Sequence, residues 1–473
     1  MNDGSSFEAD LCIIGAGAAG ITIAKELKDS KLKILLLESG GLAIDPKTQA
    51  LYEGQSAGLQ NFPSLAAARL RYFGGTTGHW NGWCAPLDPI DFEKREWIAH
   101  SGWPIKYPDL EPWYRRAQQI CQLGPFEYGA EYWENQSGFR RLPLAPQVVD
   151  TKIIQFSPPT RFGTVYREEI LQAPNITLWT FANVTDIRSN PGASHVTGVE
   201  VTTLNAKKMS VKAKKYILAC GGLENPRILL LSNKAIPHGL GNRHDLVGRF
   251  FIEHPHLSTS RMLLPNEKDA AFYTHSFQPD YHKYIPLLGI PPAIQKARKI
   301  ANYSSVIWPQ PLAKGANAGV TYQMSTRLEQ VPNPESRITL DPNKKDELGQ
   351  PQLRLDWRMT QLDKQSIRIA EQLIANELGR TGVGRLQLPD WLMADDKAWS
   401  SDVHGGPHHM GTTRMTADAR TGVVDANCKV HGIDNLYIAG SSVFPTGGTA
   451  NPTLTIVALA ARLASHIKEH TIS

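Results

Sequence analysis

Cysteine is scarce in this chain, which holds only five among its 473 residues. The number is odd, and no two cysteines stand at the C-x-x-C spacing. This usage fits a reduced compartment better than a disulfide framework. Uninterrupted apolar runs are also lacking, and none approaches the about 18 residues that a membrane span needs. We therefore expect no membrane-spanning helix.

An excess of charge of one sign is absent as well. The chain has 50 Lys and Arg against 45 Asp and Glu, a formal net charge of +5, and no long basic run. This balance gives no electrostatic reason to expect a nucleic-acid partner. The amino terminus is polar and acidic and lacks the basic and apolar segments of a secretory signal, so we expect a cytoplasmic protein.

The remaining composition is that of an ordinary globular protein, with 41% apolar and 20% charged residues. It rules out a mostly disordered or fibrous chain. Domains average roughly 150 residues, so this length predicts more than one domain. A chain of this size buries enough surface to fold without disulfides or structural metals.

The first informative stretch joins two apolar segments through a glycine-rich turn. Residues 9–14 resemble a strand buried on both faces, a helical pattern follows, and a second strand over 33–37 ends at Glu38. The glycines of the G-x-G-x-x-G pattern are Gly15, Gly17 and Gly20. In this pattern the first glycine makes a tight turn, the second admits a pyrophosphate, the third lets helix pack on strand, and the acid holds a ribose. The stretch predicts a dinucleotide site, for FAD or NAD.

The carboxyl-terminal segment favours FAD. A strand over 435–440 and a glycine-containing loop over 441–450 lead into an apolar helix. Asn451 suits the N-cap of that helix and Pro452 suits its first position. The positive helix end would favour a ligand that gains negative charge, as a flavin does on reduction. The alternative is a helix that only completes the fold.

Five motifs, in order along the chain, resemble those of the glucose-methanol-choline (GMC) flavin oxidoreductases. They are FGGTTGHWNG at 73–82, ACGGLENP at 219–226, VGR at 247–249 with EHP at 253–255, HHMGTTRM at 408–415, and NLYIAGSSVFPTGGTANPTLT at 435–455. The resemblance extends from about residue 10 to 470. The combination is specific, although the central segments match poorly.

The resemblance implies an α/β fold, α+β overall, with a Rossmann-like FAD-binding domain that is discontinuous in sequence and a smaller, sheet-containing substrate domain. The predicted FAD-binding segments are 1–85, 151–255 and 401–473, and the last also carries the catalytic pair. The predicted substrate-binding segments are 86–150 and 256–400. Since the chain is shorter than many members of the family, we expect a trimmed substrate domain.

Oxidation of an alcohol removes a proton from oxygen and a hydride from carbon, and a histidine is the usual base for the proton. Aligned on Gly411, the resemblance assigns this base to His408 and the substrate-orienting partner to Asn451. His409 is the alternative base. Since neighbours on an extended segment point to opposite faces, only one of the two histidines should be catalytic.

The resemblance also implies a set of cofactor-binding residues. Besides the three glycines of the first turn and Glu38, they are Gly74, Gly75, Thr76, His79, Asn81, Val184, Gly440, Ser441, Pro452 and Thr453. Some members bond the flavin to a histidine of this Gly-Gly loop, and His79 has the matching spacing. The alternative is that His79 only hydrogen-bonds near the flavin. The segment 253–255 is interpreted as a turn behind the flavin rather than a second acid or base.

Two other chemistries are disfavoured. His404, His408 and His409 could offer metal ligands, but no cysteine or carboxylate stands between them, so no metal is expected. Ser441 lacks the G-x-S-x-G context of a nucleophilic serine. The resemblance implies oxidation of an alcohol or sugar, with oxygen or another electron acceptor. The alternatives are a non-redox lyase or decarboxylase, or a subunit that passes electrons to a protein partner. Assembly with a partner subunit and assembly as a homo-oligomer are both left open.

Overall fold

The computed structural model describes residues 3–59, 62, 64–274, 283–310 and 320–471. In these ranges the strands, numbered in chain order, are β1 Ser6–Ile14, β2 Ile34–Leu37, β3 Gly54–Gly58, β4 Trp83–Cys84, β5 Asp150–Phe156, β6 Ile176–Trp179, β7 Asn183–Ser189, β8 Val196–Thr202, β9 Lys208–Leu218, β10 Pro255–Leu264, β11 Tyr284–Gly289, β12 Tyr303–Gln310, β13 Val320–Leu328, β14 Arg337–Lys345, β15 Pro351–Trp357, β16 Arg385–Gln387, β17 His404–Gly405 and β18 Leu436–Ile438.

The α-helices of the same ranges are mostly short. They are α1 Ala18–Leu27, α2 Pro46–Ala50, α3 Pro89–Phe92, α4 Tyr107–Ile120, α5 Ala130–Ser137, α6 Phe162–Val165, α7 Arg167–Leu171, α8 Gly221–Leu231, α9 Ala271–Thr274, α10 Pro292–Arg298, α11 Gln361–Thr381, α12 Asp390–Met393 and α13 Thr453–Glu469. Among these helices none has the length and apolarity that crossing a bilayer requires.

The first sheet has the strand order β6-β2-β1-β9-β8-β7. Strand β1 lies between β2 and β9 and pairs in parallel with both, and its residues from Leu11 to Ile14 are fully packed, as an apolar run predicts. The first half of β9 pairs antiparallel with β8, and its last residues pair in parallel with β18. The two ends of the chain therefore meet in one sheet, which makes this a Rossmann-like α/β fold.

The second sheet is antiparallel, with the order β16-β10-β13-β12-β11-β5-β4, and β17 pairs with β10. A third, small sheet has the order β14-β15-β3. Helix α11 contributes Ile367, Ala370, Ile374 and Leu378 to the core of the second sheet, at the spacing of one helix face. It begins at a capping box between Thr360 and Asp363.

Four strands from segments assigned to FAD binding lie outside the first sheet. Strands β4, β5 and β17 pair within the second sheet, and β3 pairs with β15 in the third. Strands β4 and β17 have two residues each and are too short to show a periodicity that would reveal their partner. The division into an FAD-binding and a substrate-binding domain stays a prediction.

Candidate active site

A cavity of about 690 Å³ opens at the carboxyl ends of the parallel strands. Its wall includes the residues that end or follow these strands, namely Ile14, Glu38, Ala219, Cys220 and Gly440. Parallel strands point their carboxyl ends to one sheet edge, which is where doubly wound folds bind ligands. The cavity size lies in the range of about 300–1,000 Å³ that is typical of cofactor and small-molecule sites.

The glycine-rich turn forms one wall of this cavity. Gly15 has a φ of +105°, a conformation that favours glycine. A Cβ atom on Gly20 would lie 1.9 Å from the carbonyl oxygen of Gly15, so only glycine lets α1 pack this close to β1. A Cβ atom on Gly17 would meet no atom within 4 Å, because Gly17 faces the cavity. The turn therefore presents bare backbone to a ligand.

The carboxylate of Glu38 lies beside the turn. Its two oxygens accept hydrogen bonds from the backbone N–H groups of Ala16, at 2.9 Å, and Gly40, at 2.8 Å. Burial raises the pKa of Glu38, and these N–H donors act in the opposite direction. The side chain is thus fixed at the cavity wall, where a ribose would need an acceptor.

Most of the predicted cofactor-binding residues line this one cavity. They are Gly15, Gly17, Glu38, Gly75, Thr76, His79, Asn81, Val184, Gly440, Ser441, Pro452 and Thr453. Gly20 and Gly74 do not line it. Gly20 packs under the turn, and a Cβ atom on Gly74 would lie 2.6 Å from the nitrogen of Gly163, so these two glycines serve close backbone packing behind the wall.

Buried charges support the wall near Arg71. The carboxylate of Glu224 pairs with Arg69 at 2.8 Å, Arg71 at 3.1 Å and Arg227 at 3.3 Å. Burial opposes the charge of Glu224, but the three guanidinium groups together lower its pKa to about 2. Arg71 is thus a buried structural partner rather than a surface charge.

His408 and Asn451 lie in contact at the far end of the cavity. The Nδ2 atom of Asn451 is 3.0 Å from Nε2 of His408, although 43 residues separate them in sequence. Helix α13 begins at Thr453, with Pro452 at its N-cap position and no side-chain cap. The prediction of Asn451 as the N-cap residue is therefore wrong, because the helix begins one residue later than expected.

A chain of hydrogen bonds fixes the tautomer of His408. Nε2 of His254 lies 3.2 Å from the carbonyl oxygen of Gly447, which can only accept, so this nitrogen carries hydrogen. Burial lowers the pKa of His254 to about 4, so its ring is neutral and its Nδ1 is an acceptor. Nδ1 of His408, 3.0 Å away, must then donate. This leaves the lone pair of His408 on Nε2, facing Asn451.

The buried side chain of Glu253 holds together the two segments that carry His254 and His408. Glu253 accepts hydrogen bonds from the backbone N–H groups of His254, Gly406 and His408, at 3.0, 3.1 and 2.9 Å. Burial raises its pKa to about 8, against these donors. A Cβ atom on Gly406 would lie 2.9 Å from Nδ1 of His408, so backbone also packs against the ring. His408 is therefore fixed from several sides.

The ring of the neighbouring His409 packs against aromatic side chains. Its ring packs 5.7 Å from that of Phe62 and 6.0 Å from that of Phe251, and burial lowers its pKa to about 3. Burial is the main cause that lowers the pKa of His408 well below its usual value, and the positive charge of Arg327 acts in the same direction. Both histidines line the cavity, but His408 is a neutral acceptor oriented by His254 and Asn451, whereas the ring of His409 packs against Phe62 and Phe251.

Sequence reasoning missed two members of this site. The segment with Glu253 and His254 was interpreted as a turn behind the flavin, yet the His254 ring contacts His408 directly. In the sequence, the only signal at this place is that Glu253 and His254 stand next to each other just before β10. It does not reveal the partner, because 154 residues separate His254 from His408.

Comparison with known proteins gives the family. Two models described as GMC oxidoreductase match residues 163–256 and 332–460. The chain is 25% identical to 2-methyl-1,2-propanediol dehydrogenase of Mycolicibacterium austroafricanum, over 98% of this chain and 96% of that protein. It is 23% identical to the fructose dehydrogenase large subunit of Gluconobacter japonicus, over 98% of each chain.

Solved structures agree on the fold. A formate oxidase structure superposes with a TM-score of 0.63 at 18% identity, covering 99% of each chain. A variant of formate oxidase from Aspergillus oryzae, studied for the modification of its FAD, superposes with a TM-score of 0.61 at 18% identity, again over 99% of each chain.

Proposed function

Since this chain belongs to the GMC oxidoreductase family, we propose that it oxidises a CH–OH group of an alcohol or sugar to a carbonyl. The observation that carries the proposal is the contact of 3.0 Å between Nε2 of His408 and the amide of Asn451. That pair lies in the same cavity as the glycine-rich turn and Glu38.

The cofactor is FAD, and the cavity fits it at both ends. Gly17 leaves open space over bare backbone for a pyrophosphate, and Glu38 stands where a ribose would need an acceptor. At the other end Pro452 and Thr453 bring the amino terminus of α13 to the cavity, where free N–H groups suit an electron-rich ring. Bound FAD supplies the acceptor for the hydride of the substrate.

His408 serves as the base in this proposal. A substrate oxygen within about 3 Å of both Nε2 of His408 and Nδ2 of Asn451 would donate its proton to the first and accept a hydrogen bond from the second. Since Nδ1–H of His408 is bonded to His254, the imidazole cannot rotate away or change tautomer without losing that bond. His254 and Glu253 act as positioning residues.

We further propose that His79 carries the flavin covalently. His79 lines the cavity and is exposed, and burial of part of its ring together with Arg161 lowers its pKa, which keeps the imidazole neutral. In the part of the chain that the structure describes, its backbone N–H bonds to Thr76 and its ring has no hydrogen bond.

Acid precipitation tests the linkage. We expect the yellow colour of the holoprotein to stay in the precipitate, and to move into the supernatant for His79→Ala. Mass spectrometry of a peptide containing residue 79 should show the added mass of the flavin. Colour released from the wild-type protein by acid would contradict a bond through His79.

An anaerobic screen tests the function as a whole. The purified holoprotein is mixed with alcohols, sugars and glycosides without oxygen, and the flavin absorbance is followed. We expect at least one CH–OH compound to bleach the flavin and to be recovered as its carbonyl product. Readmission of air or addition of a dye then identifies the acceptor. A flavin that no alcohol bleaches would favour a lyase or decarboxylase and contradict the proposal.

A further inference from the structure

One of the arginines that line the cavity, Arg327, has no carboxylate partner among the described residues and no part in the proposed chemistry. Arg327 lies on β13 and lines the cavity with His408. Its Nη1 donates to Oγ of Ser325 at 2.7 Å and approaches two backbone carbonyls of its own strand at 3.3 and 3.4 Å. Its Nε and Nη2 have no hydrogen-bond partner among residues 3–59, 62, 64–274, 283–310 and 320–471, and no carboxylate of these ranges pairs with it.

The lack of a carboxylate sets Arg327 apart from the charges that support the fold. Arg69, Arg71, Arg95 and Arg227 are buried and each pairs with Glu224 or Glu329. Arg414 is buried without a described carboxylate, but it stacks on Phe250 and does not line the cavity. Arg327 is half-buried, and even the partial removal of a charge from water without a counterion is costly, so its retention in a cavity points to a ligand that supplies the counterion.

Arg327 lies near the proposed base, so the ligand that supplies its counterion would bind on the substrate side of the cavity. In the register of the second sheet, Arg327 of β13 stands directly opposite His256 of β10, so both side chains leave the same face of the sheet. The ring of His256 lies 5.6 Å from that of His408, and the guanidinium of Arg327 lies 5.8 Å from the ring of Trp83. The charge of Arg327 therefore stands among groups around the proposed base.

His256, opposite Arg327, supplies a second side chain with a polar atom that is unpaired within the described part of the chain. Its Nε2 atom is buried without a hydrogen-bond partner among the described residues, and the side chain lines the cavity. Burial, then the charge of Arg327, lowers its pKa, so the ring is neutral. A neutral imidazole has one donor and one acceptor nitrogen, so Nε2 of His256 donates in one tautomer and accepts in the other. Beside a guanidinium, the donating form would complete a site for an oxyanion.

We propose that Arg327, assisted by His256, binds an anionic group of the substrate, so that the oxidised alcohol is a hydroxy acid, a sugar acid or a phosphate ester. This inference rests on the proposed function, and it names the substrate class. The oxyanion is the chemistry shared by carboxylates and phosphates. With its anion at Arg327, such a substrate places a hydroxyl carbon toward His408 and Asn451.

Matched sets of substrates test the inference on the holoprotein. One set is glucose, glucuronate and glucose 6-phosphate, and another is glycerol, glycerate and glycerol 3-phosphate. Rates of anaerobic flavin bleaching are compared within each set. We expect an anionic member to react with a kcat/KM at least about tenfold above its neutral partner, which is the usual effect of a charged hydrogen bond. The faster of the two anions identifies carboxylate or phosphate as the recognised group.

Variants then connect the preference to one residue. Arg327→Met should lower kcat/KM for the anionic substrate at least about tenfold, mainly through KM, and change the neutral partner less than about twofold. Arg327→Lys should restore part of the loss, because it keeps the charge without the planar fork. Arg261→Met, an exposed arginine on β10 of the same sheet, is the control and should leave both rates unchanged.

Each other outcome is decisive. If neutral members react and the anions do not, the proposed function stands and the anion site is wrong. Equal losses for neutral and anionic substrates in Arg327→Met, with wild-type flavin content, would also overturn it. If no compound of either set or of the wider screen bleaches the flavin, both proposals fail. Should Arg327→Met not fold, Arg327→Lys and the wild-type comparison still decide the question.

Discussion

His408→Ala should slow flavin reduction by an alcohol substrate at least about a hundredfold, because a positioned base contributes roughly 10²–10⁴ in rate. The variant should still bind flavin, since the described contacts of the His408 side chain are with His254, Asn451 and neighbouring rings rather than with the glycine-rich turn. Stopped-flow absorbance under anaerobic conditions measures the rate directly.

The same variant allows a test of rescue. Imidazole in the buffer can enter the space that the side chain leaves and should restore part of the rate. His244→Ala, an exposed histidine outside the cavity lining, is the control and should reduce its flavin at the wild-type rate. Near wild-type reduction by His408→Ala would contradict its role as the base, and reduced flavin content would show that the cavity itself had changed.

Gly17→Val should leave the fold intact and weaken FAD binding at least about tenfold. The backbone of Gly17 has φ −85° and ψ −165°, which valine adopts, and its Cβ would meet no protein atom within 4 Å. The added side chain would instead occupy the space over the turn where a pyrophosphate must approach. Flavin content after purification and a titration of the apoprotein with FAD measure the loss.

Two further glycine variants separate binding from folding. Gly129→Val is the matched control, because Gly129 also stands at a helix N-cap with open space around it but outside the cavity, and its FAD affinity should be unchanged. Gly20→Val should fail to fold, since its Cβ would lie 1.9 Å from the oxygen of Gly15. Wild-type FAD affinity in Gly17→Val would mean that the cofactor does not approach this turn.

Local pattern was enough to predict the elements around the glycine-rich turn. Strands β1 and β2 are apolar runs buried in a parallel sheet, and the three glycines each have a distinct steric reason at their positions. The long helix α11 places its apolar residues at the spacing of one helix face and ends at the left-handed Gly382. Such elements depend on neighbours in sequence, so a single chain reveals them.

The composition of the site depends on contacts between distant segments. The pairing of His408 with Asn451 was predicted only through the family resemblance, because no local pattern brings two loops together across 43 residues. The role of Glu253 as acceptor for three backbone N–H groups follows from loop geometry, which sequence does not show. No local sequence pattern singles out Arg327, because its position opposite His256 is set by how β10 and β13 pair.

The pH dependence of flavin reduction tests the central claim most directly, namely that neutral His408 accepts the substrate proton. Burial, and then the nearby charge of Arg327, lowers the pKa of His408, so its neutral form persists when the pH falls through the usual histidine value of about 6.5. The rate constant should therefore stay level through that pH and decline only in more acidic buffer. In His408→Ala this acidic decline should vanish. An acidic decline with the same apparent pKa in both proteins would contradict the account.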